Sequence, residues 1–232
     1  MLAGMDTPHK QGGTVRLTVL DLRAPPVPPQ MLSAFLSDDE RKRAARFHFP
    51  HLQENFRNGR GMLRNVLSAA CSVPAAQLRF TYSDKGKPSL PDFPHLEFNV
   101  SHSGDLWACA VSESSVLGLD IERIRPMPDC DAIALRFFAP SEREALNTFA
   151  EEDKAAAFFR CWTRKEAYIK ALGDGLSRDL SSFTVSCADE EFSTVRDLVT
   201  FESWHLQSFA PAPGYAGAVT TPDIATLLRE PS

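Results

Sequence analysis

Apolar residues recur along this 232-residue chain in two periods, and the places where one gives way to the other lay out its elements. Thr14 to Leu22 (TVRLTVLDL) alternates polar with apolar residues, the pattern of a half-buried strand, and Pro25, Pro26, Pro28 and Pro29 stop it. Two helices follow. Ser37-Asp38-Asp39-Glu40 has the form of a capping box opening a helix toward Phe47, and Gln53 to Cys71 carries apolar residues at helical spacing. Strand patterns return at Leu78 to Tyr82, Leu96 to Ser101, Trp107 to Ser112 and Val116 to Glu122. The turns between them, at Ser83 to Pro88, Gly104 and Ser114, are short, which implies mostly antiparallel pairing.

The helical period resumes at Asp129. It predicts a short helix to Phe137, a second opened at Ser141 by Ser-Glu-Arg-Glu read as a capping box, and a long one from near Glu151 to Leu172. Gly173 and Gly175 end the long helix. Ser182 to Ser186, Phe201 to Ser208 and Tyr215 to Thr220 read as strands, and Ile224 to Arg229 as a short closing helix. The second half thus repeats the order of the first, helices and then strands, without a visible repeat of sequence. Two related halves packed together are expected.

Composition narrows the class. With 43% hydrophobic and 24% charged residues this is an ordinary globular chain, long enough to bury a core without staples. Its five cysteines lack paired spacing and read as reduced core residues, neither a disulfide frame nor a zinc site. The first residues, MLAGMDTPHKQGG, have neither a basic n-region nor an apolar core, and no later apolar run is long enough to span a bilayer. The expected compartment is the cytoplasm. A net charge of −5 argues against a general nucleic-acid binder. Basic residues do cluster at Arg41, Lys42, Arg43 and Arg46, as a solvated helix face or a dock for an acidic partner. Arg57, Arg60 and Arg64 follow at helical spacing, a stripe suited to phosphate. Neither a GxGxxG nor a Walker pattern is present.

Four stretches carry candidate chemistry. On the long helix Glu166 shares a stripe with Phe159, Trp162 and Ile169, an odd place for a charge unless a cation or a hydrogen-bond network holds it; the plain alternative is a Glu166 to Lys170 pair one turn apart. In Leu117-Gly118-Leu119-Asp120-Ile121-Glu122, alternation puts Asp120 and Glu122 on one face, either as a solvated strand face or as part of a hard-cation site. Ser101 and His102 stand at a strand end. Lys85-Gly86-Lys87-Pro88 presents two lysines from a turn.

In order and spacing, Lys85-Gly86-Lys87-Pro88, Phe98-Asn99-Val100-Ser101-His102-Ser103, Gly118-Leu119-Asp120-Ile121-Glu122 and Trp162-Thr163-Arg164-Lys165-Glu166-Ala167-Tyr168-Ile169-Lys170 resemble the signature blocks of the surfactin-type 4′-phosphopantetheinyl transferases. The resemblance runs from about Leu36 to Val219. It implies an α+β fold, a pseudo-twofold pair of similar subdomains over residues 1–115 and 116–232 with the active site at their interface. It also implies a monomer that moves the phosphopantetheine arm of coenzyme A to a serine of an acyl or peptidyl carrier protein, releasing adenosine 3′,5′-bisphosphate.

Carried over by position, Asp120, Glu122 and Glu166 match magnesium ligands, and Glu166 also matches the proposed general base. Lys170 would face the pyrophosphate with Lys165 beside it, while Ser101, His102 and Asp120 would adjoin the coenzyme's phosphates. Lys85, Gly86 and Lys87 would flank its adenine and 3′-phosphate, and Arg60 would grip phosphate. Asn55 departs from the basic residue many members have. Whether Glu166, a water or His102 takes the serine proton stays open. Two rival readings are a non-catalytic coenzyme A-binding or carrier-docking protein and a metal-dependent phosphohydrolase.

Overall fold

The computed structural model describes residues 13–173 and 175–230; the leader-free reading of the first twelve residues lies outside them. Strand β1 (Thr14–Asp21) leads into α1 (Pro29–Phe35), α2 (Asp38–Ala44) and the 22-residue α3 (Pro50–Cys71). A small β2–β3 pair (Thr81–Tyr82 and Pro88–Ser89) precedes β4 (Glu97–Ser103) and β5 (Leu106–Ser112). The second half opens with β6 (Gly118–Arg123) and continues through α4 (Cys130–Phe137), α5 (Pro140–Leu146) and the 22-residue α6 (Glu151–Leu172). It ends in β7 (Phe183–Thr184), β8 (Phe192–Asp197), β9 (Ser203–Phe209), β10 (Tyr215–Thr221) and β11 (Thr226–Arg229).

Two sheets result, ordered β11-β1-β5-β4 and β6-β10-β9-β8-β7. They are related by register. Leu20 stands opposite Trp107 and Glu122 opposite Ala216, and Trp107 and Ala216 are each the second residue of a seven-residue strand. Arg16, Thr18 and Leu20 of β1 therefore correspond to Gly118, Asp120 and Glu122 of β6. The helices correspond too. Arg64 and Lys165 are each the fifteenth residue of a 22-residue helix, and Glu40 and Glu142 each the third residue of a seven-residue one. This is a mixed α+β fold with pseudo-twofold halves.

Each half has its own core. One gathers Leu32, Leu63, Leu67 and Trp107 between α3 and the first sheet; the other gathers Phe158, Tyr168, Phe183 and Val195 around α6 and the second. A third cluster, Leu17, Ala110, Leu119, Ile121 and Val219, lies between the sheets and joins the halves. At about 1.5–3 kcal/mol per fully buried large aliphatic side chain, this seam is strong enough to fix the geometry at its edge.

Several sequence expectations are corrected here. Ile224 to Arg229 forms no helix: Thr226 to Arg229 pairs parallel with Thr14 to Leu17 as β11. A six-residue helix gains too little from its own hydrogen bonds, whereas the open edge of β1 satisfies a backbone ladder. The helix opened at Ser141 begins one residue earlier because Pro140 takes its first position, so Glu142, with its carboxylate accepting from Ala139 N–H at 2.7 Å, does the capping that the Ser141 reading gave to Glu144. The strands read at Leu78 to Tyr82 and Ser182 to Ser186 shrink to two residues each, and α1 and β8 had no sequence prediction. The Ser37 to Glu40 capping box forms in both directions, at 2.8 and 3.3 Å. All five cysteines are free, and four are buried.

Candidate active site

The site lies where β6 meets α6, and a glycine permits the meeting. A Cβ on Gly118 would fall 1.9 Å from the Ala167 carbonyl oxygen, so the helix backbone rests directly on the strand. Glu166 and Lys170, either side of Ala167, then come to Asp120 and Glu122. Asp120 is 5% exposed. Its Oδ1 receives the Lys170 ammonium at 2.6 Å and the Ser101 hydroxyl at 2.7 Å, and Lys170 Nζ is 3.1 Å from Ser101 Oγ. Asp120 Oδ2 is buried and has no hydrogen-bond partner. Ser103 donates to Glu122 Oε2 at 2.6 Å.

Glu166 is pushed up to about 7, by burial first and then by the charges of Asp120 and Glu122, with Lys170 pulling the other way. Carboxylates crowded in this way repel, and a divalent cation is the usual partner that lets all of them ionise. The donor set fits a hard metal: oxygen atoms only, one of them buried and unpartnered. No group of three His, Cys, Asp or Glu closed to ligating geometry occurs among the described residues.

Of the other predicted residues, Lys165 is elsewhere. It sits on the far side of α6, fully buried, 2.7 Å from Glu142 Oε1 and donating to the Leu180 and Phe183 carbonyls at 2.8 and 2.9 Å. Adjacent helical positions point about 100° apart, so Glu166 and Lys165 cannot share a face. Lys87 is half-buried, with its pKa lowered by desolvation, and donates to the Ala171 carbonyl at the C-terminal end of α6 at 3.1 Å, a helix-cap role. Lys85 is exposed; a Cβ on Gly175 would lie 3.8 Å from its Cβ, so the Lys85-Gly86-Lys87 turn flanks the loop leaving α6. Gly86, at φ +83°, supplies the left-handed residue of that turn.

His102 points away from the carboxylates, because strand alternation sends it to the face opposite Ser101 and Ser103. There it lines a groove of about 380 Å³ with Arg43, Phe56, Arg60 and Trp107. That placement sets it apart from Glu166 and beside Arg60. The basic stripe of α3 is largely neutralised from within. Arg64 is buried against Glu40 and the Ala75 and Leu78 carbonyls, and Arg60 pairs with Glu40 and donates to the Tyr82 hydroxyl at 2.6 Å. Burial works to raise Glu40, and Arg64 and Arg60 outweigh it, leaving its carboxyl lowered. Arg41 and Lys42 of the other basic run face Asp38 and Asp39 at 2.6 and 3.9 Å.

Sequence reading gave no role to Asn99 and Ser103, yet their side chains accept the Leu119 and Arg123 N–H groups of β6 at 3.2 and 3.0 Å. The signal was present: in Asn99-Val100-Ser101-His102-Ser103 the polar residues fall at strand period on a face that is otherwise buried.

Three carboxylates, one of them buried, thus stand beside a lysine, with a cationic groove on the opposite face of β4. Two family models match the chain. The one described as the 4′-phosphopantetheinyl transferase superfamily matches residues 116–220, and the one described as 4′-phosphopantetheinyl transferase, N-terminal, matches residues 26–114. The chain is 39% identical to the 4′-phosphopantetheinyl transferase HetI of Nostoc sp., over 88% of its own length and 86% of the relative's. To the 4′-phosphopantetheinyl transferase Sfp of Bacillus subtilis it is 31% identical, over 80% of this chain and 82% of the relative. A solved structure, the holo-[acyl-carrier-protein] synthase of Thermotoga maritima, matches at a TM-score of 0.36 and 21% identity over 46% of this chain and 62% of that one, too partial a likeness to build on.

Proposed function

This chain belongs to the 4′-phosphopantetheinyl transferases, and from that premise we propose that it moves the 4′-phosphopantetheine arm of coenzyme A onto a serine hydroxyl of an acyl or peptidyl carrier protein, in a Mg²⁺-dependent step releasing adenosine 3′,5′-bisphosphate. The serine oxygen attacks the phosphorus bearing the pantetheine, and the bond from that phosphorus to the oxygen bridging the pyrophosphate breaks. The reaction takes place at the junction of the halves 1–115 and 116–232, in a cytoplasmic monomer.

The observation that carries this reading is Asp120, a carboxylate 5% exposed with one oxygen held by Lys170 and Ser101 and the other buried without a partner. Asp120, Glu122 and Glu166 would hold the metal, whose charge offsets the repulsion between pyrophosphate and incoming oxygen. Lys170, its side chain 30% exposed, reaches the mouth of the site and takes the pyrophosphate. Glu166 would accept the serine proton, directly or through a water. His102 and Arg60 line the groove for the coenzyme's phosphates, and Lys85, Gly86 and Lys87 present the turn beside it. Little covalent work is left to the protein, so positioning and charge neutralisation dominate.

The test is to incubate the protein with an apo-carrier protein, coenzyme A and Mg²⁺ and to weigh the carrier. A mass gain of one phosphopantetheine arm is expected; release of adenosine 3′,5′-bisphosphate with no carrier present, and no mass gain when it is, would make the protein a hydrolase instead. Omitting Mg²⁺ and adding chelator is expected to abolish transfer.

A further inference from the structure

The two sheets meet at β4 and β6, and the joint is unusual. In its own sheet β6 is an edge strand, paired on one side with β10. Its outward N–H groups at Leu119, Ile121 and Arg123 therefore lack a backbone partner, and burial without one would cost about 1–3 kcal/mol each. Side chains of β4 supply the acceptors: Asn99 Oδ1 for Leu119 at 3.2 Å, Ser101 Oγ for Ile121 at 3.3 Å and Ser103 Oγ for Arg123 at 3.0 Å. Three polar residues two apart thus stand in for a strand.

A serine hydroxyl has one proton to donate, and a backbone N–H pointing at its oxygen decides where that proton goes. With Arg123 N–H occupying one side of Ser103 Oγ, the hydroxyl proton lies toward Glu122 Oε2, 2.6 Å away. Ser101 does the same for Asp120 Oδ1 at 2.7 Å. The seam between the halves and the aim of the carboxylates are thereby one hydrogen-bond system. We propose that Ser103 is a positioning residue for the metal site: by donating to one Glu122 oxygen while accepting from Arg123 N–H, it fixes the carboxylate that ligates the divalent cation. This rests on the reading of Glu122 as a metal ligand. Ser103 acts through Glu122.

Outer partners of metal ligands typically change affinity 10- to 100-fold when removed. The probe is Mn²⁺, titrated into the protein with coenzyme A present and followed by the paramagnetic resonance of the free ion. Ser103→Ala is expected to raise the Mn²⁺ dissociation constant at least tenfold, and Ser103→Thr, which keeps the hydroxyl, to stay within threefold of the parent. In the transfer assay Ser103→Ala is expected to need more Mg²⁺ for half-maximal rate yet to recover most of its kcat when Mg²⁺ is saturating. In a Glu122→Gln background the same substitution should add no further loss of Mn²⁺ affinity. An unchanged Mn²⁺ constant in Ser103→Ala, or an equal loss in the Glu122→Gln background, would overturn the proposal. If Ser103→Ala does not fold by circular dichroism, Ser103→Cys, with the same shape and a weaker donor, must weaken Mn²⁺ in the same direction. A parent protein that binds no Mn²⁺ would defeat the metal reading itself, a different outcome from a parent that binds it and a variant that binds it equally.

Discussion

Arg64 in the first half and Lys165 in the second hold the same place on matching helices and do the same work. Each pairs with a glutamate at the third position of the preceding seven-residue helix, Glu40 or Glu142, and each donates to two backbone carbonyls in the stretch after its own helix, Ala75 and Leu78 or Leu180 and Phe183. One residue further along, the halves part. Glu166 and Lys170 correspond to Asn65 and Ala69, and Asp120 and Glu122 to Thr18 and Leu20. Where Gly118 lets α6 rest on β6, Arg16 and Val66 stand in the first half, and a cavity of about 670 Å³ lies between strand and helix. The duplicated part is a closed ion pair with its partners supplied by the fold; the part that differs is open, with Asp120 Oδ2 left over. A saturated cluster stabilises, whereas an unsaturated one is available to a ligand.

Breaking the closed pair should have the largest effect on the fold. Lys165→Met leaves Glu142 buried without its cation and is expected to cost about 3–5 kcal/mol in urea unfolding. If stability fell by less than about 1 kcal/mol, the closed cluster would not be the structural element it is taken for. On the open side the loss should appear in rate instead. Glu166→Ala or Asp120→Ala is expected to lower carrier loading 10²- to 10³-fold, about 3–4 kcal/mol in the transition state, by analogy with a lost oxyanion donor. Both variants should stay folded; near-normal transfer by either variant refutes the site.

Glu166 gives the comparison a pH dependence. Its folded pKa of about 7 lies above the ordinary glutamate value of 4.5, so ionising it costs the folded state. That cost is absent below about pH 4.5, grows as pH rises, and is complete above about pH 7. In metal-free buffer Glu166→Gln is therefore expected to be more stable than the parent at pH 8, on the order of 2 kcal/mol after allowance for screening, and no different at pH 4.5. A variant less stable than the parent at pH 8 would mean that Glu166 is not strained. The smallest effect belongs to the silent counterpart: Asn65→Ala, at the position matching Glu166, should leave kcat/KM for carrier loading within twofold.

Much of this was legible in the chain. The long helix to Leu172, the capping box at Ser37, the strand carrying Asp120 and Glu122 and the order of the motifs all follow from local rules, because period and caps act within a few residues. So did the nearness of Asp120, Glu166 and Lys170, through resemblance of the motif blocks. What each charge faces was not legible. Lys165 and Lys170 look alike in sequence, and so do Arg60 and Arg64; only packing gave Lys165 to Glu142 and Arg64 to Glu40 and left Lys170 at the mouth of the site. Thr226 to Arg229 became a strand because an open edge 212 residues away in sequence waited for it, and Ser103 gained its role from a seam between sheets. Local pattern determines where helices and strands begin and end. Which side chains are satisfied by the fold, and which remain open to a ligand, depends on contacts between residues far apart in the chain, and those exist only once the two halves have packed.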